Sequence, residues 1–185
     1  MRRIALHVVR GALLVSVLAC KTMTPAFARL ESAVVDDRYA GSVATANVRV
    51  VRADAVVSPS ISMRLLKGDS IITSRTTRVV VNFAAGYEVT LDTSTAIYIE
   101  NPSIFLRIGQ AFIRKLLGTR PDTARLDTHT PQATLHDEGT EYLLTVSGQA
   151  TDVLVLNGAV EATSRDGRWS PRRYEALQGG RIDAE

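Results

Sequence analysis

The side chains best suited to acid–base or metal chemistry lie in one short segment. His129 and His136 are followed by Asp137, Glu138 and Glu141. A histidine with several carboxylates can bind a metal ion. If both histidines lie on one strand, however, their spacing of seven residues puts them on opposite faces of a sheet. The segment is therefore interpreted as a polar corner, and the sequence predicts no metal, no cofactor and no catalytic residue there.

Other catalytic patterns are missing from the sequence. It contains no Gly-x-Ser-x-Gly elbow and no glycine-rich phosphate loop leading into a helix. Neither His129 nor His136 has a recognisable nucleophile and orienting acid beside it. We therefore predict a protein that binds rather than catalyses.

A second group of residues is suited to contact with a partner. The segment 165–174 combines four arginines with two aromatic side chains, and both residue types are favoured at protein interfaces. Asp166-Gly167 within it could instead make a simple hairpin turn, with the tryptophan packing on a sheet. Both interpretations stay open, and the partner-contact candidates are Arg168, Trp169, Arg172, Arg173 and Tyr174.

The net charge is less informative than it looks. The 185 residues carry 22 basic and 19 acidic side chains, but Arg2, Arg3 and Arg10 lie in an acid-free leader. The other 19 basic residues balance the acids, so the charge gives no reason to expect nucleic-acid binding. Hydrophobic residues make up 45% of the chain, enough for a core.

The first 28 residues are typical of an export signal. Two arginines precede an apolar run over residues 11–19, which is shorter than the roughly 20 residues needed to cross a bilayer. Cleavage before Cys20 would leave a lipid-modified cysteine, whereas Ala26-Phe27-Ala28 fits ordinary cleavage after Ala28. An uncleaved anchor is a third alternative. Cys20 is the only cysteine, so no internal disulfide can form.

The remainder is predicted to be all-β, with a tether over residues 29–39 and one domain over 40–185. β-branched residues alternate with period two in most runs, and glycines separate these runs. The spacing fits a β-solenoid-like or a sandwich-like stack of short strands. The apolar i+4 spacing within residues 104–117 favours a competing amphipathic helix there. Structural turns are predicted at Gly68, Asp69, Gly86, Pro131, Gly139, Thr140, Gly158 and Gly179.

Several motifs occur in the order found in a known family. Residues 66–73 read L-x-G-D-x-I-x-T, similar to an L-x-x-G-D-x-I-x-T pattern, residues 130–133 read T-P-x-A, and Gly139-Thr140 follows. Residues 153–160 then read V-x-V-x-x-G-x-V, and residues 177–180 close the series with a Leu-Gln-Gly-Gly turn. In this succession, residues 40–182 resemble the FecR domain, a bacterial envelope module.

The resemblance implies a place in signalling. FecR domains form the periplasmic part of iron-responsive regulators, which receive a signal from an outer-membrane TonB-dependent receptor. In that family a cytoplasmic segment before a transmembrane helix controls an extracytoplasmic-function sigma factor, and this sequence shows neither part. We therefore expect a stand-alone module, exported to the periplasm or to the periplasmic face of a membrane and anchored there by a lipid if Cys20 is modified.

The partner predicted for this module is an envelope protein or polymer, bound in signal sensing or as part of a scaffold. Self-association through exposed strand edges is also open. Two other functions are kept as alternatives. One is a hydrolytic or metal-binding envelope enzyme that uses His136 and nearby carboxylates. The other is a membrane-anchored regulator of a sigma-factor pathway.

Overall fold

The computed structural model describes residues 27–40, 47–100, 102–116 and 125–184, and within them it contains strands but no helix. The all-β prediction is therefore confirmed. The export segment 1–26, with Cys20, lies outside the described residues. The strands are β1 (Ala28–Val35), β2 (Arg38–Tyr39), β3 (Arg49–Arg52), β4 (Ala55–Val57), β5 (Arg64–Leu65), β6 (Ser70–Ile72), β7 (Thr77–Phe83), β8 (Tyr87–Leu91), β9 (Ala96–Ile99), β10 (Ile104–Lys115), β11 (Thr128–His129), β12 (Ala133–Asp137), β13 (Glu141–Val146), β14 (Ala150–Asn157), β15 (Ala159–Ser164), β16 (Arg172–Glu175) and β17 (Gly179–Asp183).

The strands form one curled sheet that folds into two halves. Sheet 1 has the order β2-β1-β7-β8-β10-β13-β14-β17, and β5 pairs with the start of β1. Sheet 2 has the order β4-β3-β6-β9-β10-β11-β12-β15-β16. Among the described pairings only β10 with β11 is parallel. Antiparallel neighbours and a single core between the halves fit the sandwich-like alternative.

Strand β10 belongs to both sheets. Its first half pairs with β9 and β11 of sheet 2, and its second half pairs with β8 and β13 of sheet 1. The change of sheet follows a bulge between Leu106 and Ile108 and coincides with Gly109, whose φ is +98°. A Cβ on Gly109 would lie 2.4 Å from Thr95 Oγ1, so the crossing requires glycine.

The alternative of a helix over residues 104–117 is wrong. Ile104 and Leu106 point into the core before the bulge, and Ala111 and Ile113 point into it afterwards. The bulge shifts the alternation by one residue. The resulting apolar spacing looks helical although the backbone is extended.

The predicted tether is also wrong, because most of it is β1. Seven residues of β1 pair with β7, with a bulge between Leu30 and Ser32. Leu30 and Ala33 are buried in the core. The core domain therefore begins before residue 40, and Phe27 and Ala28 are part of its buried interior.

Inward-facing side chains from both sheets form one hydrophobic cluster. Val79, Val81, Val89 and Leu91 come from sheet 1, and Ile97 on β9 comes from sheet 2. Burial alternates with exposure along β7 and β8, as expected for a sheet with one packed face. In the part of the chain that the structure describes, no helix is long and apolar enough to span a bilayer.

Candidate contact surfaces

The two histidines lie on neighbouring strands and face the same side. His129 ends β11 and His136 lies in β12, which pair antiparallel with His129 opposite Thr134. The polar turn at Pro131 separates the two strands. The expectation of opposite faces is conditional on a single strand, and this condition is not met because the histidines lie on two strands.

His136 lies between an acid and a hydroxyl. Its Nδ1 is 3.2 Å from Asp127 Oδ1, and its Nε2 is 3.4 Å from Thr163 Oγ1. This order matches the acid, imidazole and hydroxyl of a hydrolytic triad. The three residues lie on the outer face of a sheet, where the β12 and β15 backbones are paired with each other. An oxyanion site needs free N–H donors, whereas the backbone of this ladder pairs across the two strands.

The carboxylates near the histidines are not grouped around a common point. His129 contacts Glu100, with Nε2 3.5 Å from Oε2, while Glu138 is paired with Arg173 and Asp137 points inward. Among residues 27–40, 47–100, 102–116 and 125–184, no three histidine, cysteine or acidic side chains are close enough to hold a metal ion together. The geometry here is that of a surface with separate polar pairs.

The predicted partner-contact residues divide into two groups. Trp169 and Tyr174 are half-buried and pack against the core. Arg172 stacks on Trp169, with its guanidinium carbon 5.0 Å from the ring centroid. Arg168 pairs with Asp166 at 2.6 Å in the turn before β16. The two aromatic side chains therefore stabilise the fold. The arginine side chains are the part of this segment that is exposed to a partner.

Arg173 is the member of this segment with the best-defined polar contact. It lies on β16 at the edge of sheet 2 and donates a 2.8 Å hydrogen bond to Glu138 Oε1. This bond lowers the pKa of Glu138 and raises the pKa of Arg173. Both groups are exposed, so the pair contributes little to stability. Its charges remain accessible to a partner.

The predicted turn at Gly139 and Thr140 is fixed by two buried hydrogen bonds of Thr140. Thr140 donates its backbone N–H to Asp137 Oδ1 at 2.7 Å and its hydroxyl to the Ala159 carbonyl at 2.6 Å. The corner at Gly139 is thereby tied to the start of β15. Behind it, burial raises the pKa of Tyr142 and of Tyr87 well above that of a free tyrosine, and the charge of Asp137 adds to the effect in both.

The other predicted turn positions lie between strands or at a strand end. Gly68 has positive φ in the turn before β6, and Gly86 has positive φ between β7 and β8. Gly158 likewise has positive φ between β14 and β15, and Gly179 begins β17. Asp69 is fully buried and accepts two hydrogen bonds from Arg52, one from Nε at 2.8 Å and one from the second guanidinium nitrogen at 2.7 Å.

Sequence reasoning missed an apolar area on the outer face of sheet 2. A shallow depression of about 250 Å³ is lined there by side chains of β6, β9 and β10. The signal for it was present, because residues 70–72 and 96–99 carry apolar side chains on both faces of their strands. The lining includes Ile72, Ala96, Tyr98, Phe105 and Arg107.

A family model and solved structures of other proteins match a large part of this chain. A model of the family described as FecR protein matches residues 69–161, about half of the chain. Two crystal structures of a candidate anti-sigma factor from Parabacteroides distasonis, at 2.50 Å and 1.65 Å resolution, superpose with TM-scores of 0.51 and 0.50. Sequence identity is 17% in both cases. No curated protein matches the chain.

The structural match covers 62% of this chain and 54% of each solved chain, so this chain spans about half of their length. At this identity the likeness establishes a shared fold. The family match runs from the Asp69 turn to β15 and includes the shared strand β10. Together with the all-strand architecture, it shows that the chain belongs to the FecR family.

Proposed function

We propose that this chain is a non-enzymatic, exported FecR module that binds a protein of the bacterial envelope in a signalling pathway. The observation that carries the proposal is the FecR match over residues 69–161 on a fold shared with a candidate anti-sigma factor. Regulators of this kind act through protein contacts, and both outer sheet faces are available for them. The more specific alternative, a membrane-anchored regulator of a sigma-factor pathway, agrees with the same family and structural matches.

The geometry around His136 supports the non-enzymatic part of the proposal. Asp127 and Thr163 occupy its two ring nitrogens, and the surrounding sheet backbone is paired. An enzyme at this position would need a pocket to orient its substrate and donors to stabilise developing charge. His136→Ala should therefore leave the function of the protein in its host intact, provided that the variant folds.

The location of the protein is a proposal that rests on the leader sequence. Residues 1–28 have the charge and apolar pattern of an export signal, with Cys20 as the residue that would carry a lipid. Fractionation of the host should place the protein in the periplasm or on its membrane surfaces. A pool confined to the cytosol would refute export.

The partner is best identified by cross-linking tagged protein in intact host cells and sequencing what is captured. Recovery of a membrane regulator or of an outer-membrane receptor would support a role in signalling. Recovery of a scaffold or secretion component would place the module in envelope organisation. Capture of nothing specific, together with an unchanged His136→Ala phenotype, would contradict a binding function.

A further inference from the structure

The outer face of sheet 2 carries a row of apolar side chains that is interrupted only by Ser70. Register places Val51 opposite Val56 on the edge strand β4, and Phe105 opposite Tyr98. Ser70 on β6 links the two pairs, since it lies opposite both Val51 and Tyr98. Five strands about 4.8 Å apart make this surface roughly 19 Å wide. We call it the apolar strip, and its members are Val51, Val56, Ile72, Ala96, Tyr98, Phe105 and Ile108.

The apolar strip is exposed and slightly concave. Val56 is 66% exposed and Ile108 is 45% exposed. Tyr98 and Phe105 line the depression of about 250 Å³ together with Ile72. A contiguous exposed apolar area of this kind is typical of an interaction site. Its volume can accommodate an inserted side chain.

Exposed arginines lie beside the apolar strip. Arg49 and Arg107 are exposed on the same face, and neither has an acidic partner among the described residues. A third guanidinium, that of Arg165, already lies over the ring of Phe105 at 5.3 Å from its centroid. An occupant that brings carboxylates would pair with these arginines. One that brings further positive charge would be repelled.

The outer face of sheet 1 provides a contrast. It also has an apolar row, in which Phe112 lies opposite Leu143, and Leu143 lies opposite Leu154. Two arginines along it are paired within the chain, since Arg114 contacts Glu88 at 2.8 Å and Arg181 contacts Asp152 at 3.5 Å. These arginines beside the apolar row of sheet 1 are thus neutralised, whereas Arg49 and Arg107 beside the apolar strip are not.

We propose that the apolar strip binds an acidic amphipathic helix of a partner protein, with the apolar face of the helix on Tyr98 and Phe105 and its carboxylates beside Arg49 and Arg107. This rests on the proposed function, since it assigns a surface and a chemical class to the partner. A helix about 10 Å across fits on an open sheet face, which is normally covered by another layer of structure.

Two other occupants fit less well. A second copy of this chain would bring the same unpaired arginines together across the contact, and like charges there disfavour association. An anionic membrane would satisfy the arginines, but a bilayer surface cannot insert a side chain into the depression beside Tyr98. A protein helix supplies both the inserted side chain and the carboxylates.

The test is site-specific photo-cross-linking of the full-length protein in host cells. A photoreactive amino acid replaces Tyr98 on the apolar strip and, in a matched control, Leu154 on sheet 1, because both side chains are 41% exposed. Mass spectrometry then identifies the cross-linked segment. The expected result is an adduct from position 98 whose partner segment is helical and rich in Asp and Glu. The adduct from position 154 should be at least several-fold weaker.

A charge variant tests the role of the arginines. Arg107→Glu should lower the yield of the position 98 adduct about tenfold, because it places a carboxylate against those of the partner. Arg38→Glu, a charge reversal at an exposed position of β2 in sheet 1, should leave the yield unchanged. Thermal melts of both variants ensure that a loss is not due to unfolding.

Several outcomes would overturn the proposal. An adduct with lipid, with a second copy of this chain or with a basic segment would assign the apolar strip to another occupant. If Arg107→Glu and the unsubstituted protein give equal yields of the position 98 adduct, charge complementarity does not contribute to binding. If tagged protein still captures a partner while position 98 gives no adduct, the partner binds elsewhere than on the apolar strip, and the proposed function stands. If neither method captures a protein, the proposed function itself fails.

Discussion

Arg52 holds the buried carboxylate of Asp69 through two hydrogen bonds of 2.8 and 2.7 Å. The carboxylate is fully inaccessible, whereas 35% of the Arg52 side chain is exposed. The backbone N–H of Leu66 donates a third bond to the same carboxylate at 2.9 Å. The pair joins the end of β3 to the turn at Gly68, and so closes one end of sheet 2.

Arg52→Ala should destabilise the protein markedly. Removing the guanidinium leaves a buried carboxylate without its partner, a change that costs about 2–4 kcal/mol once the partial exposure of arginine is allowed for. Chemical denaturation measures the loss. Arg78→Ala is the matched control, because its pairs with Asp37 and Asp92 are exposed, and it should cost less than about 1 kcal/mol. Equal losses would show that burial of Asp69 is unimportant.

Alanine substitutions at three glycines should separate crowding from backbone strain. Gly109→Ala meets both, since its φ is +98° and its Cβ would lie 2.5 Å from the Cα of Thr95. Gly139→Ala meets only strain, at φ +82° in open space, and should cost roughly 1–2 kcal/mol. Gly148→Ala meets neither.

The expected order of destabilisation is therefore Gly109, then Gly139, then Gly148, measured by thermal and urea unfolding. If Gly109→Ala lowers the stability only slightly, β10 can change sheets without a residue in the left-handed conformation.

Alkaline pH should unfold the protein through its buried tyrosines. The pKa values of Tyr142 and Tyr87 are raised in the folded state, chiefly by burial. The unfolded chain releases these protons near pH 10, so above that pH it binds fewer protons than the folded chain. Stability is then fully present below about pH 10 and falls as pH rises beyond it.

Phenolate absorbance and circular dichroism recorded across that range will check the alkaline transition. Absorbance from the two buried tyrosines should appear only together with unfolding. Tyr142→Phe should flatten the pH dependence and remove the hydrogen bond with Thr128 Oγ1, 3.1 Å long. Tyr39→Phe is the exposed control and should leave the pH dependence unchanged. Phenolate formation in a fully folded sample would contradict the burial of these rings.

Zinc should not stabilise the protein. Both ring nitrogens of His136 already have neighbours within 3.4 Å, and the described residues contain no three-ligand group. Melting temperatures with and without zinc should agree, and His136→Ala should behave identically. A saturable increase that disappears in His136→Ala would show that the polar corner is a metal site.

Loss of residues 27 and 28 should weaken the fold. The ring of Phe27 packs edge-on against Phe83 with centroids 5.4 Å apart, and its carbonyl accepts a 2.9 Å hydrogen bond from Ala84. Ala28 is buried and pairs with both Phe83 and Leu65. A chain beginning at Arg29 should therefore be less stable, by about 3 kcal/mol, than one beginning at Lys21.

These contacts favour processing upstream of Phe27, and they favour cleavage before Cys20 over cleavage after Ala28. The mass of the mature amino terminus from host cells decides between the two. A mature chain beginning at Arg29 with undiminished stability would contradict this prediction.

Much of the architecture could be predicted from the sequence, and the two wrong predictions have the same physical cause. Period-two alternation identifies strands such as β7 and β8, whose buried positions follow it without interruption. Strands β1 and β10 each contain a bulge, after Leu30 and Leu106, which shifts the alternation by one residue. A short apolar window then no longer shows a strand period, which is why the sequence suggests a tether at β1 and admits a helix at β10.

The surfaces were harder to predict because they depend on which strands become neighbours. His129 and His136 share a face only because a turn at Pro131 places them on adjacent strands. Tyr98 and Phe105 meet through a register between β9 and β10 that spacing alone does not determine. The aromatic and arginine types in residues 165–174 were visible, but the packing of Trp169 on the core was not.

The passage of β10 through both sheets has a consequence for cooperativity. Its two halves are joined by the covalent backbone at Gly109, and each half is hydrogen-bonded on both sides. Neither sheet can open along β10 without disturbing the central strand of the other. Amide protons of β8, β9 and β13 should therefore exchange with solvent at one common free energy of opening, as a single foldon. A partner that binds either face would slow exchange on both.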